Sequence, residues 1–243
     1  MTRMNKEGYN TTQLTPDYYA KRQVLHRDIL AHHLRWTHIA KYWAFGKTVL
    51  DLGCGKGAQL AIALYSNKCS PKQYVGCDYR DTAIEHNKEE VKTNFPMEFY
   101  QVDLVKDLSV IPPYEYDVIT FLEVIEHVNK EDGIKMLENI KSLMGLETQL
   151  FLSTPCFNGS AAENHVHEWE YQELKDELEK HFTIEAHYGT FASQSDLKKV
   201  MTPEMSTLFE SLREYYDSNT LATMLAPLYP AQSRNCIWRL KKK

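Results

Sequence analysis

Short apolar runs alternate with amphipathic stretches along residues 48–153 of this 243-residue chain. The apolar runs are five to seven residues long, and the stretches between them place apolar residues three or four positions apart. Runs of the first kind are typical of buried strands, and stretches of the second kind are typical of helices. We therefore predict strands at 48–52, 74–78, 98–102, 116–122 and 149–153, and helices at 58–65, 82–93 and 132–144.

The order of these elements predicts the fold class. Buried strands separated by helices form βαβ units, which build a parallel sheet. A helix at 169–181 is followed by strands at 182–188 and 235–240, one of which we expect to run antiparallel to the other. Residues 193–230 between them are predicted to form a mainly helical insertion. The expected fold is α/β and doubly wound, with a mostly parallel seven-stranded sheet.

The N-terminal region has a different pattern. Apolar residues between positions 24 and 40 recur every three to five positions, which predicts one or two amphipathic helices. We expect residues 1–45 to form a helical extension or lid on a main domain spanning 46–243. Its mixture of aromatic and basic side chains could stack on a nucleotide, or the helices could simply pack on the sheet.

Composition and charge narrow the function classes. With 28 basic and 33 acidic side chains the net charge is −5, which gives no electrostatic support for broad binding to duplex nucleic acid. The chain has no apolar run near the roughly 20 residues of a membrane span. It has no signal-peptide pattern, and its five cysteines form no Cys-x-x-Cys pair. These features favour a cytoplasmic protein without a four-cysteine zinc site or disulfides.

The strongest local motif is Asp51-Leu52-Gly53-Cys54-Gly55-Lys56-Gly57, directly after the first predicted strand. Its glycines allow a tight turn and a close approach of the backbone to a ligand. In open parallel sheets, ligands bind at the carboxyl ends of the strands, where this motif lies. A plain strand-to-helix turn is the structural alternative.

Two further acidic residues follow the next two strands. Asp78 ends the second strand, where a carboxylate can accept hydrogen bonds from both hydroxyls of a ribose. Asp103 ends the third, where it could accept from an adenine amino group while Leu104 packs on the ring. Acidic residues at three successive strand ends indicate a nucleoside site.

Together with Phe121-Leu122-Glu123, these motifs resemble the four motifs of class I S-adenosylmethionine-dependent methyltransferases. The resemblance implies that S-adenosylmethionine is the cofactor and that these segments bind it. The loop reads GxGxG, which argues against a nicotinamide enzyme, and it has no Gly-Lys-Ser/Thr ending of a P-loop. The implied cofactor-binding residues are Asp51, Gly53, Cys54, Gly55, Gly57, Asp78, Tyr79, Asp103, Leu104 and Glu123.

A second group of residues suggests the chemistry at the acceptor. Glu123, Glu126 and His127 would share one face if their segment is helical, and His165 lies in a later loop. Two carboxylates and two imidazoles suit Mg²⁺, Mn²⁺ or Zn²⁺, which could lower the pKa of a bound hydroxyl. We treat these four residues as candidate metal ligands and catalytic residues. An acceptor pocket without metal is the alternative.

The same group resembles two kinds of methyltransferase. Glu123, Glu126, His127 and His165, which lies four positions before Trp169, match the pattern of RNA 3′-terminal ribose 2′-O-methyltransferases. Asn164 and His167 depart from that pattern. Glu-x-x-Glu-His-Val also resembles the ubiquinone-pathway O-methyltransferases, a resemblance that implies one of two roles for the histidine, as a base or as a group that orients the acceptor.

The predicted function is therefore methyl transfer to an oxygen acceptor on a small molecule or a nucleotide, with metal assistance as one possibility. The RNA 3′-terminal ribose is the alternative acceptor. A different class remains open: a non-catalytic protein with a methyltransferase fold that regulates a partner.

Overall fold

The computed structural model describes residues 27–43, 46–57 and 70–243. Seven strands of these residues form one sheet in the order β3-β2-β1-β4-β5-β7-β6. The first five strands are parallel, and β7 runs antiparallel to both of its neighbours. The predicted fold class is confirmed. The strands are β1 Thr48–Leu52, β2 Gln73–Asp78, β3 Met97–Gln101, β4 Val118–Leu122, β5 Gln149–Pro155, β6 Phe182–Ala192 and β7 Ser233–Lys242.

Helices lie between and around these strands. The predicted helix at 58–65 and the first 26 residues of the predicted extension lie outside the described residues. Two predicted strands are longer than expected, since β6 continues to Ala192 and β7 to Lys242. The described helices are α1 Arg27–Trp43, α2 Asp81–Glu90, α3 Lys130–Leu143, α4 Tyr171–His181, α5 Gln194–Lys198, α6 Pro203–Leu212 and α7 Ser218–Leu225.

Alternate side chains of the central strands face two different cores. Leu50 and Leu52 of β1 lie in one cluster with Leu137 of α3, whereas Val49 lies in another with Trp36 of α1. Because every residue of β1 and of β4 is buried, both faces of the sheet centre are covered. This is the packing expected of a doubly wound sheet.

The strand order changes direction between β1 and β4. The chain proceeds from β1 outward to β2 and β3, and then returns to the other side of β1 with β4. Ligands of open α/β sheets bind outside the carboxyl ends of the strands at such a switch. The fold therefore places the glycine loop after β1 and Glu123 after β4 side by side.

Residues 193–230 are mainly helical in the structure, as the sequence predicts. They contain α5, α6 and α7, followed by short 3₁₀ turns at Ala226–Leu228 and Pro230–Gln232. Their apolar side chains form a small core of their own, which includes Leu197, Phe209 and Leu221. Helix α1 contacts both α7 and β6, so the insertion and the N-terminal helix meet at the sheet edge. Across the described ranges, no helix has the length and apolar character needed to cross a membrane.

Candidate active site

The glycine loop is held against β2 by backbone hydrogen bonds. The Gly53 and Cys54 amides both donate to the Cys77 carbonyl, at 2.7 and 2.9 Å. Gly53 has a φ of 82°, and a Cβ there would lie 2.2 Å from Cγ2 of Val124. Glycine is required at this position because both the backbone conformation and the space beside β4 exclude a side chain.

Asp78 ties the end of β2 to the same loop. Its Oδ2 accepts from the Gly55 amide at 2.9 Å, and its Oδ1 accepts from the amide and Nε of Arg80 at 3.0 and 2.9 Å. Burial raises the pKa of the Asp78 carboxyl, while the hydrogen bonds from Arg80 and Gly55 oppose that shift. A buried carboxylate thus stands at the centre of the loop cluster.

A cavity of 760 Å³ opens at the carboxyl ends of β1 to β4. Its volume falls within the range of roughly 300–1,000 Å³ typical of small-molecule sites. It extends from the glycine loop to His127 and Asn164, which belong to the predicted acceptor region. Six of the residues assigned to the cofactor line it: Gly53, Asp78, Tyr79, Asp103, Leu104 and Glu123.

Asp103 and Leu104 form the far end of this cavity. Asp103 accepts from the Val105 amide at 3.1 Å and pairs with Lys106 at 3.0 Å. Partial burial of Asp103 favours its neutral form, but the bonds from Lys106 and Val105 outweigh that and hold its pKa below the usual value. Leu104 is buried and packs into the main core. An anionic acceptor and an apolar surface therefore lie together, as an adenine ring requires.

Asp51 does not reach the cavity. Its carboxylate is buried inside the sheet, where it accepts from the Tyr74 hydroxyl at 2.7 Å and from Thr120 Oγ1 at 2.8 Å. Burial raises its pKa to about 6, opposed by these two bonds and aided by the nearby charge of Asp78. The Asp51 side chain thus belongs to a hydrogen-bond network beneath the loop. The other assigned residues absent from the described lining are Cys54, Gly55 and Gly57.

Glu123 is the most constrained residue of the site. It has a φ of 57°, a left-handed conformation that is strained for a side chain of this kind. Its carboxylate contacts Nη1 of Arg35 at 2.7 Å and accepts from Ser153 Oγ at 2.7 Å. Asn235 Nδ2 donates to both carboxylate oxygens, at 3.0 and 2.8 Å. Three elements, α1, β5 and β7, thereby converge on one carboxylate at the cavity wall.

The stretch from Glu123 to His127 is helical only in part. Only Ile125–His127 form a 3₁₀ turn, because Glu123 turns the chain sharply before it. Glu126 is buried in this turn and accepts from Thr154 Oγ1 at 3.0 Å. Burial and then the charge of Glu123 hold the pKa of the Glu126 carboxyl well above its usual range.

Both histidines have one ring nitrogen committed to a hydrogen bond. His127 Nδ1 lies 3.1 Å from the Asn164 carbonyl oxygen, and His165 Nδ1 lies 2.5 Å from Oε1 of Glu168. Carbonyl and carboxylate oxygens can only accept, so Nδ1 carries the proton in each ring. In the form with a single ring proton, the Nε2 lone pair of either ring is then available. Burial lowers the pKa of His127, which favours that neutral form.

The structure brings three of the four predicted metal or catalytic residues together. One ligand atom from each of Glu126, His127 and His165 lies within 4.8 Å of the others. The two imidazole rings meet edge to face, with centroids 5.1 Å apart. Glu123 is not part of this group within the described ranges, since its carboxylate is engaged by Arg35, Ser153 and Asn235.

The sequence did not assign Arg35 or Asn235 to the site, although both contact the Glu123 carboxylate. Arg35 is only 3% exposed and lies between Leu34 and Trp36 on α1. A charged residue beside the apolar face of a helix was the one available signal for it. Asn235 gave no signal at all, because its partner Glu123 lies 112 positions earlier in the chain.

Comparisons with known proteins identify the family. The sequence model of the methyltransferase domain family matches residues 26–202. The chain is 31% identical over 114 residues to a ubiquinone biosynthesis O-methyltransferase from Haemophilus ducreyi, covering 45% of this chain and 46% of that protein. It is 32% identical over 116 residues to a ribosomal protein L11 methyltransferase from Thermotoga petrophila, covering 47% and 39%. The chain thus spans less than half the length of these curated relatives.

Solved structures agree at the level of the fold. An S-adenosylmethionine-dependent methyltransferase from Archaeoglobus fulgidus has a TM-score of 0.57 at 16% identity and covers 94% of this chain and 100% of its own. The small RNA methyltransferase HEN1 has a TM-score of 0.59 at 16% identity, covering 87% and 25%. The [4+2]-cyclase SpnF has a TM-score of 0.56 at 13% identity, covering 86% and 80%. Because the matched family segment exceeds half of the sequence, this chain belongs to the methyltransferase domain family and has the class I S-adenosylmethionine-dependent methyltransferase fold.

Proposed function

We propose that this protein transfers the methyl group of S-adenosylmethionine to an oxygen of its acceptor, assisted by a divalent cation at Glu126, His127 and His165. One observation carries the proposal. A single cavity joins the loop and strand ends that suit a nucleoside to His127, which belongs to the three-residue cluster.

The cavity suits the cofactor in shape and in polar groups. Asp78 and Asp103 lie along it as acceptors for ribose hydroxyls and for an adenine amino group. The loop after β1 admits a ligand because Gly53 brings backbone, and no side chain, to the cavity wall. Ribose binding at Asp78 requires the Arg80 side chain to give up its bond to that carboxylate.

Transfer of a methyl group from a sulfonium is a displacement in which alignment of donor and acceptor supplies most of the catalysis. A hydroxyl acceptor must also lose its proton. His127 lines the cavity, and its Nε2 is unprotonated because Nδ1–H is bonded to the Asn164 carbonyl. A low pKa keeps this imidazole neutral near pH 7, so its Nε2 can receive that proton when no cation is bound to it.

The cluster also suits a divalent cation. Glu126 is buried beside Glu123, whose carboxylate already pairs with Arg35, so a proton or a cation at the cluster would offset the charge of Glu126 itself. Two imidazole nitrogens and a carboxylate oxygen form a donor set of the kind that binds Mn²⁺, Mg²⁺ or Zn²⁺. A cation held there would lower the pKa of a hydroxyl bound to it.

The similarity to a ubiquinone biosynthesis O-methyltransferase favours a small molecule that presents a hydroxyl. A second acceptor is supported by one observation. His165, four positions before Trp169, does join Glu126 and His127 in space, as the resemblance to RNA 3′-terminal ribose 2′-O-methyltransferases implies. The net charge of −5 favours the small molecule over the RNA.

Calorimetric titration with S-adenosylhomocysteine tests the cofactor site. We expect micromolar binding to the unmodified protein and a loss of about 100-fold or more in Asp78→Ala, because two hydrogen bonds to a charged group are removed. Asp81→Ala, an exposed acidic residue three positions away, is the matched control and should bind normally. Absence of binding to the unmodified protein would overturn the enzyme proposal in favour of a non-catalytic protein with this fold.

The cation and the acceptor are tested separately. Mn²⁺ titration should show binding that His165→Ala abolishes and that His86→Ala, on helix α2, leaves intact. Methyl transfer from labelled cofactor is then measured with a catechol-type phenol and with an RNA oligonucleotide carrying a free 3′-terminal ribose. Transfer to the phenol alone supports the small-molecule acceptor, and transfer to the RNA alone reverses that choice. If EDTA leaves the rate unchanged, the cation is not part of the reaction.

A further inference from the structure

Residues 162–168 form a loop that follows β5 in the chain and contacts the three-residue cluster of Glu126, His127 and His165. The amides of Val166 and His167 donate to the Glu126 carbonyl at 2.8 and 3.2 Å. In the same loop, the Asn164 carbonyl accepts from His127 Nδ1. The loop thereby fixes the backbone of Glu126 and the ring of His127, and it supplies His165 itself.

Glu168 ends this loop and is completely buried. Its Oε1 lies 2.5 Å from His165 Nδ1 and accepts from the Ala162 amide at 3.1 Å. Arg234 reaches the same carboxylate, with Nη2 2.8 Å from Oε1 and 2.6 Å from Oε2. The carboxylate therefore contacts the start and the middle of its loop, at Ala162 and His165, and a guanidinium from elsewhere in the fold.

Arg234 belongs to β7, 66 positions after Glu168 in the chain. Its Nη1 donates to the Cys156 carbonyl at 2.6 Å, and its Nη2 donates to the Ser160 carbonyl at 3.3 Å. The Cys156 amide in turn donates to the Arg234 carbonyl at 2.7 Å. The guanidinium is thus fixed to the start of the segment whose end carries Glu168.

This arrangement determines how His165 presents its ring. A carboxylate can only accept, so the His165 proton lies on Nδ1 and the Nε2 lone pair is left free. Rotation of the imidazole by half a turn would break the bond to Glu168. A histidine that binds a metal through one ring nitrogen is commonly oriented by its other ring N–H, which donates to a carboxylate or a carbonyl. His127 and Asn164 repeat the same arrangement beside it.

We propose that Glu168, held in place by Arg234, is a positioning residue that fixes the tautomer and orientation of His165 toward Glu126 and His127. The proposal rests on the proposed function in one respect, namely that His165 belongs to the acceptor centre. Buried ion pairs are seldom needed for stability alone, since apolar residues can often replace them. Placement of His165 gives this pair a role in the site.

The test compares three variants at position 168 or its partner. Glu168→Met removes the acceptor oxygens at similar length, and the double variant E168M/R234M also removes the guanidinium that would otherwise lose its partner. Glu168→Gln keeps one acceptor oxygen. Glu163→Gln is the matched control, because it removes one charge from an exposed position of the same loop. S-adenosylhomocysteine affinity, expected to be unchanged in all variants, reports that the cofactor half remains folded.

Two readouts are measured on the protein without acceptor. The first is the ¹⁵N chemical shifts of the His165 ring, which report the tautomer. We expect the Nδ1–H form in the unmodified protein, in Glu163→Gln and in Glu168→Gln, and its loss in both methionine variants. The second is Mn²⁺ affinity, which we expect to fall about 10- to 100-fold in the methionine variants and by less than tenfold in Glu168→Gln.

The two readouts separate the failure of this inference from the failure of the proposed function. An unchanged His165 tautomer in both methionine variants would overturn the positioning role, whatever the metal does. If the unmodified protein binds no Mn²⁺, the cation part of the proposed function is overturned. The ring shifts then decide the positioning role without it.

Discussion

The two ends of the ligand cavity are built in different ways. At the cofactor end, Asp78 accepts from the Gly55 amide 23 positions earlier, and Asp103 accepts from Val105 two positions later. At the acceptor end, Arg35 donates to Ser153 across 118 positions, and Asn235 donates to Glu123 across 112. One end is made of short motifs and backbone amides, whereas the other is made of buried side chains from distant elements.

This difference predicts how substitutions at the two ends of the cavity affect the protein. Backbone donors at the carboxyl ends of β1 to β3 are available in any sheet of this topology, so few side chains are needed there. The acceptor end depends on charges that neutralise one another in a buried network. Changing one member of such a network leaves its partners unpaired, whereas the amides of the glycine loop keep their bonds. We therefore expect the two ends to respond differently to substitution.

The largest effect is expected from Gly53→Ala at the cofactor end. The new Cβ would lie 2.2 Å from Val124 Cγ2, at a φ of 82° that alanine rarely adopts. The left-handed conformation and the overpacking together should lower the free energy of unfolding by about 4 kcal/mol. Urea denaturation measures this loss, and calorimetry should show that binding of S-adenosylhomocysteine is lost with it.

Gly55→Ala is the matched control for this prediction. It shares the left-handed backbone, with a φ of 56°, but its Cβ would lie 3.7 Å from the nearest atom, Arg80 Nη2. Only the backbone cost of about 1 kcal/mol should remain. Adding Val124→Ala to Gly53→Ala should recover part of the lost stability. Equal losses in the two glycine variants would contradict the role of the Val124 contact.

The next effect is expected at the acceptor end, from Arg35→Met. Removing the guanidinium breaks its ion pair with Glu123, while Ser153 and Asn235 still donate to that carboxylate. Breaking one partner of a buried pair costs roughly 3–5 kcal/mol, and we expect about 3 kcal/mol because Glu123 is partly exposed. Urea denaturation of the variant measures this value, and the cofactor affinity should change much less than in Asp78→Ala.

The double variant Arg35→Met with Glu123→Gln sharpens the same experiment. Neutralising Glu123 should return a large part of the stability lost in Arg35→Met, giving a coupling free energy between the two sites. Additive losses would show that Arg35 acts through contacts other than its pair with Glu123, among them its bond to Ser153. In that case the contrast between the two ends of the cavity would lose its electrostatic basis.

The same contrast explains what could be predicted from the sequence. The strands, their parallel order and the positions of Asp78 and Asp103 follow from local patterns, because a strand end fixes where the next residue lies. The cluster of Glu126, His127 and His165 followed from a resemblance to known families. The ion pair and the backbone conformation of Glu123 did not, because its partner Arg35 comes from α1 and its φ of 57° depends on the tertiary fold.

Asp51 shows that even a motif residue can have an unexpected partner. Its position after the buried part of β1 suggested a ligand contact, but Tyr74 and Thr120 bond its carboxylate inside the sheet. Both partners lie on neighbouring strands, and the sequence gives the strands without giving which face each hydroxyl reaches. The consequence is a carboxyl whose pKa is raised to about 6 by burial.

The smallest effect is expected from Asp51→Asn, and its sign depends on pH. Because the pKa in the folded state is about 6 and the usual value is 3.8, the folded protein favours the protonated carboxyl, and its stability falls as pH rises through this window. The amide cannot ionise and can still bond both hydroxyls. Relative to the unmodified protein, the variant should therefore gain about 2 kcal/mol in free energy of unfolding between pH 4 and pH 7.5.

Asp103→Asn is the opposite control, since the pKa of Asp103 is lowered and its contribution to stability is lost as pH falls. Urea denaturation at both pH values measures the two differences. A pH-independent difference for Asp51→Asn would show that the pKa of this carboxyl is not raised in the folded protein.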